Sequence, residues 1–560
     1  MADIAYSFAP ITPVLRINSR AAGNQSHSDV TRISGSEDGF FVAFNSSVGS
    51  SVNGRSFSES GHALSGEFRV NTADAGDQAN PATLALPNGK VVTTYDDYTK
   101  GRSYITRQDV RGSISDQKGQ DNHQFFLDHG YPNIGQSGYG GARDTDVARI
   151  KGGYVVSWMR VLTETGNYLA QRFNANGDKV GEAFTVVQTS TEIPVSHAVA
   201  SLANGGFVSA TAIWELPGDT SYFFQRFDAK GHALDTQRQQ IVGPQSVNNL
   251  SYGDIKVVGL RDGGFAVAYV DVDTAHNNDK DILVRIYNAN GTARTGALHV
   301  GVSNSHGGTW KTGNQDEPNI TVLSNDAVAI SWTDHTGADT NIQGRVLDSR
   351  GNALTGVVDL AASASRGETE SSLADLSGGK FVATWTTTHE SGTNTTGIQG
   401  REFRLSRTTT GDDTNETLNG DSLVDRIFGQ GGDDIINGKS GNDVLIGGAG
   451  KDIFVFDLKP SRQTNFDKIA DFSPVDDSIY LSHKIFSALG KGGSMAHPTA
   501  LSKAAFWVGT AAQDANDRII YNKASGALYY DPDGNGGAEA LKIAALSKGL
   551  QLTEKDFFII

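Results

Sequence analysis

Cut every nine residues, positions 411–455 read GDDTNETLN GDSLVDRIF GQGGDDIIN GKSGNDVLI GGAGKDIFV. Each unit opens on glycine: Gly411, Gly420, Gly429, Gly438 and Gly447. The sixth position is always acidic (Glu416, Asp425, Asp434, Asp443, Asp452) and the eighth always apolar (Leu418, Ile427, Ile436, Leu445, Phe454). A nonapeptide period with one inward apolar side chain per unit predicts a parallel β-roll, in which two units make one coil. Glycine permits backbone conformations that aim several carbonyls at one point, the carboxylate adds a charged oxygen, and Ca²⁺ takes six to eight oxygens. Units two apart stack on the same side. Asp425 is therefore expected to pair with Asp443, and Asp434 with Glu416 and Asp452, each pair clasping an ion between coils. A flexible glycine-rich linker would have no reason to keep these acidic and apolar positions in phase.

The last unit, Gly447 to Val455, fits the consensus G-G-x-G-x-D-x-U-x at every position, and the stretch resembles the RTX family of secreted proteins. That resemblance implies export from a Gram-negative bacterium by a type I system that reads an uncleaved C-terminal signal, with folding outside the cell. The segment Phe466-Asp467-Lys468-Ile469-Ala470-Asp471-Phe472, then Asp477-Ser478-Ile479-Tyr480-Leu481, resembles the cap of such proteins, the serralysin proteases included, as does the terminal Asp556-Phe557-Phe558-Ile559-Ile560. Residues 458–560 are thus expected to form a small β-rich cap carrying the export signal, with Asp471 a further calcium candidate. Asp531-Pro532-Asp533-Gly534 opens like an EF-hand loop, but its twelfth position is Lys542 and not the bidentate Glu. Asp531 and Asp533 stay candidates for a calcium site of another kind, with a plain turn as the alternative.

The net charge of −16 argues against a nucleic-acid partner or an anionic membrane surface. Cysteine is absent, which removes the hazard of premature disulfides in a chain exported unfolded. Met1-Ala2-Asp3-Ile4-Ala5-Tyr6 has neither a basic start nor an apolar run, so no Sec-type signal peptide is expected. No window approaches eighteen apolar residues, so no membrane insertion is expected.

Residues 1–407 repeat one phrase. Its second strand appears as Phe40–Phe44, Val91–Tyr95, Tyr154–Trp158, Phe207–Thr211, Phe265–Tyr269, Val328–Trp332 and Phe381–Trp385. Its third strand carries Arg55, Arg107, Arg172, Arg226, Arg285, Arg345 and Arg401, spaced 52 to 65 residues apart. Four short strands per unit, alternating in polarity and joined by tight turns, describe a propeller blade. The seventh unit runs out after its third strand at Gln399–Arg404, while Leu15-Arg16-Ile17-Asn18-Ser19 with Gln25 matches Phe68-Arg69-Val70-Asn71-Thr72 with Gln78. The expectation is an all-β, seven-bladed propeller closed by the N-terminal strand, then a roll over 408–457 and the cap. The units resemble a repeat of large proteobacterial RTX-type proteins, a likeness that implies fold more than function. The arginines are read as structural, tying strands within their blades.

The long connections leave strands two and four on one face, the expected binding surface. It presents Tyr98, Arg160, Trp214, His335 and His389, with Arg143 and Trp310 on the longest insertions. Aromatic rings, carboxylates and arginine suit extracellular polysaccharide or a surface glycan. Candidate ligand-binding residues are Tyr98, Arg143, Trp214, Trp310, His335 and His389. A polysaccharide lyase or glycosidase is the alternative, with His123, Tyr131, Tyr139, His197, His335 and His389 as acid–base candidates. The H-E-x-x-H protease motif is absent, since Ser391-Gly392-Thr393 follows His389-Glu390. Ser303 to Trp310 resembles a sialidase Asp-box, S-x-D-x-G-x-T-W, without its Asp.

Overall fold

The structure is a computed structural model. It describes residues 2–19, 23–34, 38–71, 77–98, 109–120, 122–129, 139–163, 165–189, 192–215, 219–246, 254–273, 279–301, 314–336, 339–361, 367–388, 395–461 and 464–560. Two compact units emerge: Pro10–Leu376 with Lys380–Phe403, and Met1–Ala9 with Ser377–Gly379 and Arg404–Ile560.

The first unit is a β-propeller, but it has six free-standing four-stranded blades and not the seven expected. The blades are antiparallel meanders, the first built from Gln25–Ile33, Gly39–Ser46, Ser51–Ser58 and Phe68–Arg69. The strands of the seventh repeat, Glu368–Ser377, Lys380–Thr387 and Gly397–Thr410, belong instead to a twelve-stranded sheet. The reason lies in the chain after Gly400. It meets no glycine or proline before Gly411, so the strand does not turn and runs on for 14 residues. Leu15–Arg16 pairs with it antiparallel, Leu15 opposite Gly400 and Arg16 opposite Gln399. The match to the first blade extends to side chains. Asn18 Nδ2 donates to Gln25 Oε1 at 3.1 Å, as Asn71 Nδ2 does to Gln78 Oε1 at 2.8 Å.

Each blade's central strand is a run of buried β-branched and aromatic residues, because both of its faces pack on neighbouring blades. Trp158, Trp332, Trp385, Tyr95 and Tyr269 are buried there. The repeated arginines tie blade to blade, not only strands within a blade: Arg55 Nη1 donates to Ile17 O (2.9 Å), Arg285 Nη1 to Ile241 O (2.7 Å) and Arg345 Nη1 to Val300 O (3.3 Å). Each acceptor lies in or beside the last strand of the preceding repeat. Arg107 falls outside the described residues. The third strand of that repeat is Asp109–Asp116, which sets Ser113 opposite Thr93.

The second unit holds the roll and the segment after it. Thr417–Asn419, Ile435–Asn437, Ile453–Phe456, Ser478–Leu481 and Phe557–Ile559 stack in parallel on one side. Val424–Phe428, Val444–Ile446, Asp467–Ile469 and Leu541–Ala545 do so on the other. Leu418, Ile427, Ile436, Leu445 and Phe454 join Ile469, Ile479, Ile543 and Phe557 in a single apolar core. Every eighth-position residue is inside, as the period requires.

Candidate functional site

In the roll the sixth-position carboxylates form two ladders. Glu416 N–H donates to Asp434 Oδ1 (2.8 Å) and Asp434 N–H to Asp452 Oδ1 (3.0 Å) in one column; Asp425 N–H donates to Asp443 Oδ1 (2.8 Å) in the other. These are the residues expected to stack. Asp425, Asp434, Asp443 and Asp452 are buried, at most 1% exposed. Asp425 Oδ1, Asp434 Oδ2, Asp443 Oδ2 and Asp452 Oδ2 have no hydrogen-bond partner.

Such a set of orphaned, buried carboxylate oxygens is costly without a cation. Burial pushes Asp425 and Asp434 up to about 6. Burial, then the charge of Asp467, raises Asp443. Beside each of these carboxylates the chain has a glycine, and no room for a side chain. A Cβ on Gly420 would meet the Gly438 carbonyl and lie 2.6 Å from Asp425 Oδ2, and one on Gly429 would meet the Gly447 carbonyl and Asp434 Oδ2. Beside Asp425 and Asp434 a carboxylate oxygen and a backbone carbonyl of the next coil thus come together, which is the donor chemistry calcium takes. Among the described residues no group of three or more acidic or histidine side chains is gathered for a metal, so backbone carbonyls would complete each site.

Asp471 is off the ladder: its two oxygens accept the N–H groups of Gly447 (3.0 Å) and Gly448 (2.8 Å). In the cap, Asp531 Oδ1 accepts from Asp533 N–H (3.2 Å) and Gly534 N–H (3.0 Å), the pattern of a closed turn. Asp533 Oδ2 accepts from Ala538 N–H at 3.0 Å.

The propeller holds a second feature, a cavity of about 670 Å³ lined by its innermost strands. Five of those strands carry a non-glycine residue in the left-handed region at a matching place: His27 (φ 50°), Asn80 (53°), Asp144 (57°), Glu317 (52°) and Glu370 (57°). That conformation costs roughly 1–3 kcal/mol per residue. It accompanies a shift in strand register at His27, Asn80, Asp144 and Glu317. Each bulge turns its polar side chain toward the cavity.

These side chains are linked in sequence around the cavity. Asp254 accepts the Glu317 N–H. Glu317 Oε2 accepts the Glu370 N–H (2.8 Å) and the Thr333 hydroxyl (2.7 Å). Glu370 Oε2 accepts the His27 N–H (3.0 Å), and its Oε1 lies 2.9 Å from His27 Nε2. Burial pushes Asp254 up to about 6, with the charge of Glu317 adding to it, and pushes Asp146 up to about 6. His27 holds Glu370 below its ordinary value against the opposing effect of burial. Lys256 is the one ammonium among the described lining residues.

Of the expected ligand residues, Tyr98 lines this cavity, its hydroxyl 3.5 Å from Asp96 Oδ2. Trp214 sits at the end of its strand opposite Ile193, away from the cavity lining. His335 is exposed and bonds Asp316 Oδ1 at 2.7 Å. Trp310, His389, Tyr131 and His306 lie outside the described residues, as do the side chains of Arg143 and Tyr139. Arg160 is held by a bidentate pair with Asp128 (2.6 and 2.8 Å). His197 is 3% exposed, stacked on Tyr168 at 4.1 Å, and burial lowers it to about 3. Its ring nitrogens meet the hydroxyls of Ser157 at 3.4 Å and Ser209 at 3.0 Å, and it lines the cavity. The inner-strand carboxylates were missed by the sequence reading. Their signal is a repeated phrase, Gln25-x-His27, Gln78-x-Asn80, Gln315-x-Glu317 and Glu368-x-Glu370.

No helix among the described residues is long and apolar enough to cross a membrane. No curated protein matches the sequence. Among solved structures, the chain is similar to a protein of unknown function from Dyadobacter fermentans (10% identity over 71% of this chain and 99% of that one, TM-score 0.43). It is similar also to a polysaccharide lyase, an ulvan lyase (9%, 69% and 95%, TM-score 0.46), and to an α-L-arabinofuranosidase of Fusarium graminearum (10%, 60% and 98%, TM-score 0.41). At these TM-scores the likenesses carry nothing over to this chain's chemistry. Residues 410–445 and 428–458 match the RTX calcium-binding nonapeptide repeat, in four copies, so this stretch of the chain is made of calcium-binding RTX repeats.

Proposed function

We propose that this is an exported protein whose RTX tail folds on calcium and whose propeller binds a carbohydrate in its central cavity. The observation that carries the second part is the cavity itself. Its volume, about 670 Å³, suits a ligand of a few sugar rings. Its lining alternates acceptors (Asp29, Asp146, Asp254, Glu317) with donors (Asn80, Lys256, serines), the pairing that sugar hydroxyls use. Tyr98 offers a ring face.

For the tail, Glu416, Asp425, Asp434, Asp443 and Asp452 would hold the ions, and calcium would supply the charge that these buried carboxylates lack. Extracellular modules bind calcium at roughly 10⁻⁴–10⁻³ M. The tail would then stay unfolded in a calcium-poor cytosol, pass through type I export machinery and fold outside, because ion binding there adds directly to folding free energy. Chelation is expected to expose residues 411–560 to protease while the propeller stays resistant. An unchanged digestion pattern with and without chelator would refute that part.

For the propeller, the full chain in calcium is expected to bind saturably on a glycan array, and Glu317→Gln to weaken binding without altering the fold by circular dichroism. Binding by neither protein, or equal binding by both, would remove the cavity from the reading. A hydrolytic role has one observation in its favour: Asp254 adjoins Glu317, two buried carboxylates that burial raises, Asp254 to about 6. New reducing ends on incubation with polysaccharide would establish it.

A further inference from the structure

The carboxylate ladder does not stop where the nonapeptides stop. Asp467 follows Asp443 by 24 residues and Asp477 follows Asp452 by 25, so neither obeys the 18-residue step within the repeats. Both nevertheless stand on it. Asp467 Oδ1 accepts the Asp443 N–H at 3.1 Å and Asp477 Oδ1 the Asp452 N–H at 3.1 Å. This is the bond that joins Asp443 to Asp425 and Asp452 to Asp434 inside the repeats. The parallel pairing runs on beside it, Val444 with Lys468 and Ile453 with Ser478.

Asp467 and Asp477 are 4% and 7% exposed, and the carboxylates they stack upon, Asp443 and Asp452, are 1% exposed and each keep an oxygen, Oδ2, with no partner. Asp467 Oδ1 meets the backbone N–H of Asp443, so the two buried carboxyl groups are stacked neighbours. Two buried carboxylates in contact need a proton or a cation between them. The carboxylate and the N–H it accepts repeat the arrangement found one coil earlier.

We propose that Asp467 with Asp443, and Asp477 with Asp452, hold two further calcium ions beyond the nonapeptide repeats. This rests on the reading of the sixth-position carboxylates as calcium ligands. The ladder then has five slots, one for each stacked pair: 416/434, 434/452, 452/477, 425/443 and 443/467. The consequence is that the repeats and the segment after them are sealed by the same ion, so the tail folds as one calcium-dependent body.

The test is calcium bound per chain, measured by equilibrium dialysis of the full chain against a buffer in which calcium is well above the affinity range. Wild type is expected to carry five ions, Asp467→Asn and Asp477→Asn each one fewer, and Asp471→Asn the full number. Asp434→Asn, within the repeats, is the control and must lose metal. If Asp434→Asn loses metal while wild type carries only three ions and the two outer variants match it, this inference is overturned and the repeat reading stands. If Asp434→Asn loses none, the repeat reading itself fails. Should an outer variant not fold, the wild-type count decides alone, five supporting the proposal and three overturning it.

Discussion

Arg407 Nη1 lies 3.7 Å from Asp425 Oδ1, at the place in the stack where the next coil would put another sixth-position carboxylate. The register is explicit: Arg407 pairs with Asp425 and Thr409 with Ile427, so the end of the strand Gly397–Thr410 follows the phase of a nonapeptide without its sequence. The guanidinium also donates to Asn419 O at 3.0 Å and lies 3.9 Å from Asp421 Oδ2. The first rung of that column thus has one of the protein's own cations beside it.

Removing that cation should make the tail more dependent on calcium. Arg407→Gln keeps much of the stem and loses the charge. With the arginine side chain 11% exposed and the pair at 3.7 Å, a cost of about 1 kcal/mol is expected, which, shared over several ions taken up on folding, raises the calcium concentration at half-folding by less than about twofold. Titration of tail circular dichroism with calcium checks this. An unshifted midpoint would mean that Arg407 is an ornament of the first coil.

The glycines that open the nonapeptides should be intolerant for lack of space and not for strain. Gly420→Ala would drive a methyl group onto the Gly438 carbonyl and within 2.6 Å of Asp425 Oδ2, where an ion belongs. Calcium affinity is expected to fall at least tenfold, read by calorimetry. Gly537→Ala, with nothing within 4 Å of the added carbon, should behave as wild type.

Acid should stabilise the propeller over the range in which most proteins are indifferent. Asp146 and Asp254 are raised by burial to about 6, above the unfolded value near 3.9. A raised folded value means that their contribution is fully present below about pH 4 and is lost as pH rises through about 6. Glu370 is lowered and so does not titrate in that interval, while His197, lowered by burial to about 3, loses stability as pH falls below its unfolded value near 6.5 and offsets part of the gain. The melting temperature of the propeller is expected to be higher at roughly pH 5 than at roughly pH 7.5, and Asp146→Asn to flatten the slope. A flat wild-type profile would contradict the burial argument.

How much of this was legible in the sequence follows from which periods survive. Nine-residue spacing places Asp425 over Asp443 because no residue is inserted between them. Asp467 and Asp477 were not found because the chain lengthens by 6 and 7 residues on the way (24 − 18 and 25 − 18), and only strand pairing restores the register. In the propeller, the strand pattern located Leu15–Asn18 correctly beside Gln399 and Gly400. It gave one blade too many, because whether Gly397–Thr410 ends at a blade edge depends on what it pairs with beyond Phe403. The cavity carboxylates were hidden for a third reason. His27, Asn80, Asp144, Glu317 and Glu370 adopt a backbone region where a reader looks for glycine.

Asp29 shows what that bulged ring does mechanically, and gives the last prediction. Its Oδ2 accepts the Thr83 N–H at 2.6 Å and the Thr83 hydroxyl at 2.9 Å, in the next blade; its Oδ1 accepts the Ser372 hydroxyl at 2.9 Å. Ser372 Oγ in turn accepts the Val30 N–H at 3.2 Å. Asp146 repeats the device on Val199 (2.8 Å), and Asn319 on Leu373 (3.2 Å). These bonds join neighbouring innermost strands through a side chain, because adjacent blades share no sheet. Asp29→Ala leaves the buried Thr83 N–H without an acceptor, which costs about 1–3 kcal/mol, while Asp29→Asn keeps an amide oxygen for it and should cost less than about 1 kcal/mol. In a domain of this size the alanine variant is expected to melt roughly 1–4 °C lower, with the asparagine variant close to wild type. If both variants melt together with wild type, the ring is held by apolar packing alone and the inner-strand carboxylates are free to serve the ligand.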